Sequence, residues 1–158
     1  MNIVLVAGFG PITADPTTSR AFWGGHLGLP IAEIAPEYWG TDDLDGVNAF
    51  AIWPLADAAE STFGSREWPA DLPTPTTWME LDLENPEAVV AAAAEMEASG
   101  HRLLKQAGME PWGQTTARLL SPEGLLLGLT FTPWMHEHHE QDHHDQAGDH
   151  EGHDHGEG

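Results

Sequence analysis

Residues 76–100 read TTWMELDLENPEAVVAAAAEMEASG and combine a strand signal with a helix signal. Polar and apolar side chains alternate over residues 76–83, which predicts a half-buried strand with Trp78, Glu80 and Asp82 on one face. Asn85 and Pro86 are typical of a helix start, because the Asn side chain caps free N–H groups and proline fits the first turn. The alanine-rich run that follows predicts a helix through residue 98, which a glycine then ends.

The same order of elements, β-α-β-β-β, occurs on both sides of a connector. In the second half, three further strands are predicted at residues 102–106, 113–120 and 125–132. In the first half, a helix at residues 18–26 follows the first of four strands, predicted at residues 2–9, 29–35, 38–41 and 47–53. We therefore divide the chain into module one (1–54), a connector (55–75) with a helical turn at 55–63, module two (76–134) and a tail (135–158).

The composition is strongly acidic and excludes several classes of partner. The 158 residues include 26 Asp and Glu against 5 Lys and Arg, for a formal net charge of −21. Such a surface repels phosphate, so we expect no binding to nucleic acid or to anionic membranes. The absence of cysteine excludes disulfides and thiolate metal sites, and it favours a cytoplasmic location. No apolar run is long enough to span a bilayer.

Three local motifs extend the argument beyond the order of elements. They are the first-helix region 15–29 with Ser19, Phe22-Trp23 and Leu27-Gly28-Leu29, the helix end Ala98-Ser99-Gly100-His101, and the turn Ser121-Pro122-Glu123-Gly124-Leu125. Together they resemble the vicinal oxygen chelate superfamily, which includes glyoxalases, extradiol dioxygenases, fosfomycin-modifying enzymes and bleomycin-resistance proteins. The resemblance covers about residues 3–134. It implies an α+β fold in which two βαβββ modules form one curled mixed sheet with a concave groove.

The resemblance also implies where a groove metal would be held. Metal-dependent members place four His, Glu or Gln ligands on groove-facing strand positions, which correspond here to Phe9, Trp53, Trp78 and Gly128. None of these four residues is a metal ligand, and only Glu80 and Asp82 lie near one of the positions. We therefore expect a core without a metal cofactor.

Aromatic residues occupy three of these four positions, and the chain has seven tryptophans. We predict a groove that holds a small hydrophobic or aromatic molecule. Its candidate walls are Phe9, Trp53, Trp78, Glu80, Trp112, Gln114, Arg118 and Gly128.

Five of these residues also have a purely structural interpretation. Trp112 would either line the groove or order the loop before its strand. Trp53 and Trp78 would either stack on a ligand or plug the groove. Arg118 would either receive an anionic group or form an ion pair with Glu80 or Glu123. Glu80 would be a general base, and thus the one catalytic candidate, or the partner of Arg118.

The tail contains eight histidines interleaved with eight acids, and its only apolar residues are Met135 and Ala147. Such a segment cannot build a core, so we expect it to be disordered without a ligand. Imidazoles suit Ni, Zn, Cu and Co ions, which makes the tail a candidate metal-binding segment; the alternative is an acidic solubilising tail. The predicted ligands are His136, His138, His139, His143, His144, His150, His153 and His155.

Three functions follow from these features. The leading hypothesis is a metal-free small-molecule-binding protein with a metal-chelating tail. The second is an enzyme of the same superfamily, a lyase or isomerase with Glu80 as base or a dioxygenase with unusual ligands. The third is a metal storage or delivery protein that acts through the tail. A homodimer fits all three.

Overall fold

Within residues 1–136, the part of the chain that the computed structural model describes, eight strands form a single mixed sheet that does not close into a barrel. The strands are β1 (Leu5–Thr13), β2 (Ala32–Ala35), β3 (Tyr38–Thr41), β4 (Phe50–Pro54), β5 (Thr77–Asp82), β6 (Leu103–Met109), β7 (Thr115–Leu120) and β8 (Leu126–Phe131). The α-helices are α1 (Pro16–Arg20), which continues as a π-helix (Ala21–His26), α2 (Leu55–Phe63) and α3 (Pro86–Ala98).

The order of strands in the sheet is β2-β3-β4-β1-β5-β8-β7-β6. Each module pairs its first strand in parallel with its last, β1 with β4 and β5 with β8, and the two modules join where β1 runs antiparallel to β5. This arrangement confirms the predicted α+β fold with two βαβββ modules in one mixed sheet. No helix within residues 1–136 is long and apolar enough to cross a membrane.

Helix α3 follows the capping pattern that its sequence predicts. The Asn85 side chain accepts a hydrogen bond from the Ala88 N–H, and Pro86 occupies the first turn. Gly100, at a φ of 93°, then turns the chain in a conformation that other residues rarely adopt. The helix packs on one face of the sheet, where a cluster of buried residues forms the core of module two: Leu83, Val89, Ala92, Ala93, Ala117, Leu119 and Leu129.

The connector folds as helix α2 and packs on the opposite, concave face. Its Ala58 is fully buried in a second cluster with Ile12, Ala51, Trp78 and Leu126. The helix covers the positions predicted for the helical turn, residues 55–63, and so occupies part of the groove. This placement decides which part of the concave face remains accessible.

Strand β1 continues through Gly10 and Pro11, where the sequence predicts its end. Gly10 lies so close to β4 that a Cβ atom there would be 1.9 Å from the Ala51 carbonyl oxygen and 3.1 Å from Trp78 Nε1. Only glycine allows this approach, which brings the indole of Trp78 to the Ala51 carbonyl. The glycine that we took as a strand end is therefore a packing requirement of the strand.

Candidate functional site

Strands β5, β8 and β7 bring most of the predicted groove residues onto the concave face. Glu80 is opposite Gly128 across β5 and β8, and Gly128 is opposite Arg118 across β8 and β7. Since residues directly opposite each other share a face, these three positions form a row across the sheet. Trp53 and Trp78 lie beside the row, with their ring centroids 6.0 Å apart in an edge-to-face arrangement.

Phe9 does not belong to this row, contrary to the sequence expectation. A register shift between Val6 and Gly8 places Gly8 opposite Glu80 and Phe9 opposite Met79. Phe9 therefore points to the other face, where its ring lies 5.7 Å from that of Phe50. The predicted alignment was off by one residue, because Gly8 and Gly10 occupy the concave positions of β1 on either side of Phe9.

Trp78 fills one end of the groove rather than lining an open site. Its side chain sits in the cluster beneath α2, it is 6 % exposed, and its Nε1 donates a 2.9 Å hydrogen bond to the Ala51 carbonyl. The indole N–H is thus satisfied inside the protein. Of the two interpretations of Trp78, the structure favours the plug, whereas Trp53 keeps partial solvent exposure.

Arg118 forms a buried ion pair. It is 1 % exposed, and its Nη1 donates to the Ser61 side chain at 2.8 Å and to Glu110 Oε1 at 3.3 Å. Lys105 also bonds Glu110 and donates to the Ser61 carbonyl at 2.8 Å. Burial lowers the pKa of Arg118, an effect that nearby Glu80 and Glu110 oppose. The ion-pair interpretation is supported, but the partner is Glu110 instead of Glu80 or Glu123.

Glu80 lies at the other end of the groove and keeps partial solvent exposure. Gln114 Nε2 donates to Glu80 Oε2 at 2.9 Å and to Thr132 Oγ1 at 2.8 Å. Gln114 Oε1 in turn accepts from the indole N–H of Trp112 at 3.0 Å. Trp112, Gln114 and Glu80 therefore form a hydrogen-bonded chain that runs from an exposed indole, 53 % accessible, to the carboxylate.

The electrostatic surroundings favour the protonated form of Glu80. Burial raises the pKa of its carboxyl most strongly, and Asp82 and Glu110 add to this, while Arg118 and the hydrogen bond from Gln114 act in the opposite direction. Tyr38 is affected by the same site: its burial, together with the charge of Glu80, raises the pKa of Tyr38 to about 12. The sequence analysis missed Tyr38, and the only available signal was that it is the single tyrosine of the chain.

The donor set around Glu80 does not fit a metal ion. Its neighbours across both strand pairs are Gly8 and Gly128, and a Cβ at position 128 would come within 3.0 Å of Glu80 Cγ. In the part of the chain that the structure describes, no three His, Cys, Asp or Glu side chains converge as a metal site would require.

Asp82, the second carboxylate near the predicted ligand positions, accepts hydrogen bonds from within the folded domain. It is fully buried, and Thr132 donates its N–H to Asp82 Oδ2 at 2.6 Å and its hydroxyl to Oδ1 at 3.0 Å. His136 Nε2 lies 2.8 Å from Asp82 Oδ2, with its ring against Phe131. His136 therefore belongs to the folded body, two residues past the predicted boundary. The other seven predicted tail ligands lie outside the described residues.

Comparison with solved structures identifies the architecture. A glyoxalase/bleomycin resistance protein/dioxygenase superfamily member from Vibrio splendidus is 19 % identical, with a TM-score of 0.53 over 81 % of this chain and 98 % of that chain. The chain has the vicinal oxygen chelate fold. A structure described as an NAD-dependent benzaldehyde dehydrogenase from Legionella pneumophila is 12 % identical, with a TM-score of 0.54 over 78 % of this chain and 96 % of that one. A methylmalonyl-CoA epimerase from Streptomyces coelicolor is 16 % identical, with a TM-score of 0.49 over 84 % and 96 % of the two chains.

At these identities the likeness concerns the fold alone. No protein-family profile and no curated protein sequence matches the chain. The vicinal oxygen chelate fold supports many different sites on one scaffold, so the function has to be argued from the residues of the groove.

Proposed function

We propose that this protein binds a small hydrophobic or aromatic molecule, without a metal, at the accessible end of its groove. The observation that carries the proposal is Glu80, a partly exposed residue on the concave face of the sheet whose carboxyl has a raised pKa and lies near aromatic residues. Trp53 and Tyr38 are partly exposed on the same face and Trp112 borders it, whereas α2 and Trp78 close the far end. Apolar walls with a single polar group are typical of small-molecule sites.

The polar group predicts a feature of the ligand. Arg118 and Lys105 are both paired with Glu110, so neither cation is free to receive an anion in this groove. Glu80 instead offers an acceptor when ionised and a donor when protonated. We therefore expect a compact aromatic molecule that carries a hydroxyl or amine group, such as a phenol or an arylamine.

The test compares catechol with its dimethyl ether, which has the same ring but no hydroxyl donor. We expect catechol to shift the NMR signals of the Trp112 indole N–H and the Gln114 side-chain amide in a saturable way. E80Q should weaken binding about tenfold, which corresponds to one lost charge-assisted hydrogen bond. E123Q, at an exposed carboxylate in the turn before β8, is the matched control and should bind as the wild type does.

Equal binding of catechol and its dimethyl ether, or equal binding by wild type and E80Q, would show that Glu80 does not select the ligand. A wider panel of phenols and arylamines that leaves both reporter signals unmoved would refute the groove site itself.

A second candidate function is proton transfer, and the raised pKa of Glu80 specifically favours it. A carboxyl whose pKa moves toward neutrality is better matched to general acid–base catalysis than an ordinary glutamate. A lyase or isomerase of the glyoxalase type would use Glu80 to remove a proton next to a carbonyl. Incubation with a methylglyoxal–thiol adduct in D₂O tests this, since deuterium should enter the substrate with the wild type and fail to enter with E80Q.

We further propose that the histidine-rich tail binds a divalent transition metal, namely Ni, Zn, Cu or Co. The support is its composition, eight histidines within the last 23 residues. Calorimetric titration of the full chain and of a chain ending at residue 136 separates tail binding from core binding. Loss of all binding in the shortened chain is the expected result, and retained stoichiometric binding would place the metal in the core. Metal storage or delivery requires this binding to be reversible.

Two further attributes remain proposals. The cysteine-free, acidic composition supports a cytoplasmic location. The homodimer is testable by sedimentation at several protein concentrations.

A further inference from the structure

A second cavity lies on the face of module one opposite the groove. It has a volume of about 480 Å³ and lies between α1, the π-helix and the hairpin of β2 and β3. Its lining residues are Thr17, Arg20, Ala21, Gly24, Gly25, Leu29, Ile31 and Trp39. Pairing of Trp39 with Ile52, the neighbour of the groove residues Ala51 and Trp53, places the Trp39 side chain on this opposite face.

The only charged group in the lining is Arg20. Its guanidinium carbon lies 4.2 Å above the centroid of the Trp39 ring. Arg66, Lys105 and Arg118 are all paired with carboxylates, but Arg20 takes part in none of the ion pairs formed within residues 1–136. Exposed Arg102 likewise forms none of the ion pairs within residues 1–136, but of these two cations only Arg20 lines the cavity.

The floor of the cavity is apolar and is shaped by two consecutive glycines. Gly24 packs against Ile31 so closely that a Cβ there would be 2.9 Å from Ile31 Cδ1. Gly25 is different, because a Cβ at that position would meet nothing within 4 Å. Gly25 of the π-helix, a conformation often found at functional sites, thus borders open space.

We propose that this cavity binds a small organic carboxylate with a flat or apolar body. The planar guanidinium of Arg20, held by Trp39, can form two parallel hydrogen bonds with a carboxylate. The body of the ligand would lie against Leu29 and Ile31. No acidic side chain lines the cavity, so no carboxylate in the lining adds to the repulsion that the negative charge of the protein exerts on an anionic ligand. A volume of about 480 Å³ is within the range that small-molecule sites show.

The site is independent of the groove because its residues lie on the other face of the sheet. The two sites also select different chemistry: the groove offers the carboxyl of Glu80, whereas this cavity offers a guanidinium. Either proposal can therefore fail without the other, and the Trp39 and Gln114 NMR signals report on them separately.

The experiment is a calorimetric titration of the full chain with naphthoate and with naphthamide, its uncharged counterpart. We expect saturable binding of naphthoate only, a shift of the Trp39 indole N–H signal, and about tenfold weaker binding for R20Q. R102Q is the matched control, since Arg102 is exposed, forms none of the ion pairs within residues 1–136 and lies outside the cavity. R20K should bind with intermediate affinity, because lysine keeps the charge but not the paired hydrogen bonds.

G25L tests the cavity without a change of charge, because its side chain would fill the space that naphthoate needs. Circular dichroism checks that each variant is folded. If G25L is unfolded, the proposal is tested by R20Q and R20K. The proposal is overturned if naphthoate does not bind, if naphthamide binds equally well, if R20Q binds as wild type does, or if naphthoate shifts Gln114 instead of Trp39.

Discussion

Replacement of Arg118 by methionine is the sharpest test of how the groove is built. The guanidinium is 1 % exposed and makes three hydrogen bonds, two to Ser61 of α2 and one to Glu110. Its guanidinium carbon also lies 5.2 Å from the centroid of the Trp53 ring. Methionine has a similar length and no charge, so R118M removes the ion pair and two hydrogen bonds to Ser61 of α2 while it preserves much of the packing; the bond from Lys105 to the Ser61 carbonyl stays.

The expected loss of stability follows from what the substitution leaves behind. Removal of one partner of a buried ion pair typically costs about 3–5 kcal/mol, because the other charge stays buried without compensation. Glu110 is 5 % exposed but remains bonded to Lys105, so the penalty is reduced. We therefore expect R118M to lower the free energy of unfolding by about 2–3 kcal/mol, just below that range.

Urea denaturation of the full chain, followed by circular dichroism, measures this loss. Substitution of both charges in R118M/E110Q should recover part of it, because no carboxylate is then left buried with a single partner. Hydrogen exchange should also quicken in α2 more than in α3, since only α2 depends on Arg118. Two results would refute the ion pair as the element that holds α2. One is a loss of under about 1 kcal/mol in R118M. The other is a double variant whose stability falls below that of R118M by the full cost of E110Q alone.

Three further predictions concern single residues. G10A should unfold the protein or cost more than about 3 kcal/mol, because its Cβ would be 1.9 Å from the Ala51 oxygen, whereas G25A should be tolerated; both are read by thermal denaturation. N85A should cost about 1 kcal/mol through loss of the cap of α3, measured by urea denaturation, and an unchanged midpoint would contradict the cap. The pKa of Glu80 in the folded protein is raised above the ordinary value of 4.5. The contribution of Glu80 to the free energy of unfolding is therefore fully present below pH 4.5, where the carboxyl is protonated, and it is lost as the pH rises through the raised pKa. E80Q should accordingly be more stable than wild type near neutral pH and equal to it below 4.5, and a constant difference across the pH range would contradict the raised pKa.

The sequence was sufficient for the fold because the decisive signals are local. The alternation in residues 76–83, the Asn85-Pro86 cap and the turn at residues 121–124 each specify one element, and the structure contains all three. Repetition of the β-α-β-β-β order then selects one architecture from few alternatives. Helix α2 was also predicted at residues 55–63, but its position on the concave face depends on long-range contacts that no local pattern encodes.

The site was harder to predict because its geometry depends on register and on buried charge. The resemblance placed Phe9 on the groove face, but Gly8 and Gly10 hold the concave positions of β1 and Phe9 points to the far face. Arg118 pairs with Glu110, a residue in the turn after β6 whose closeness to β7 follows only from the hairpin they form. The first error is a one-residue shift in the alignment, and the second concerns a contact between strands that no local pattern encodes.

Helix α2 and Trp78 close one end of the groove, and Glu80 is the carboxylate at the other end. Because Arg118 and Lys105 are both paired with Glu110, the proposed chemistry of the concave face rests on Glu80, which Gln114 connects to the exposed indole of Trp112. A single carboxylate that is partly desolvated can exchange a proton or a hydrogen bond with a neutral molecule more readily than it can hold a divalent cation, which needs several oxygen or nitrogen donors. E80Q separates the two proposed functions, recognition and proton transfer, because glutamine can retain part of the recognition but cannot take up the proton.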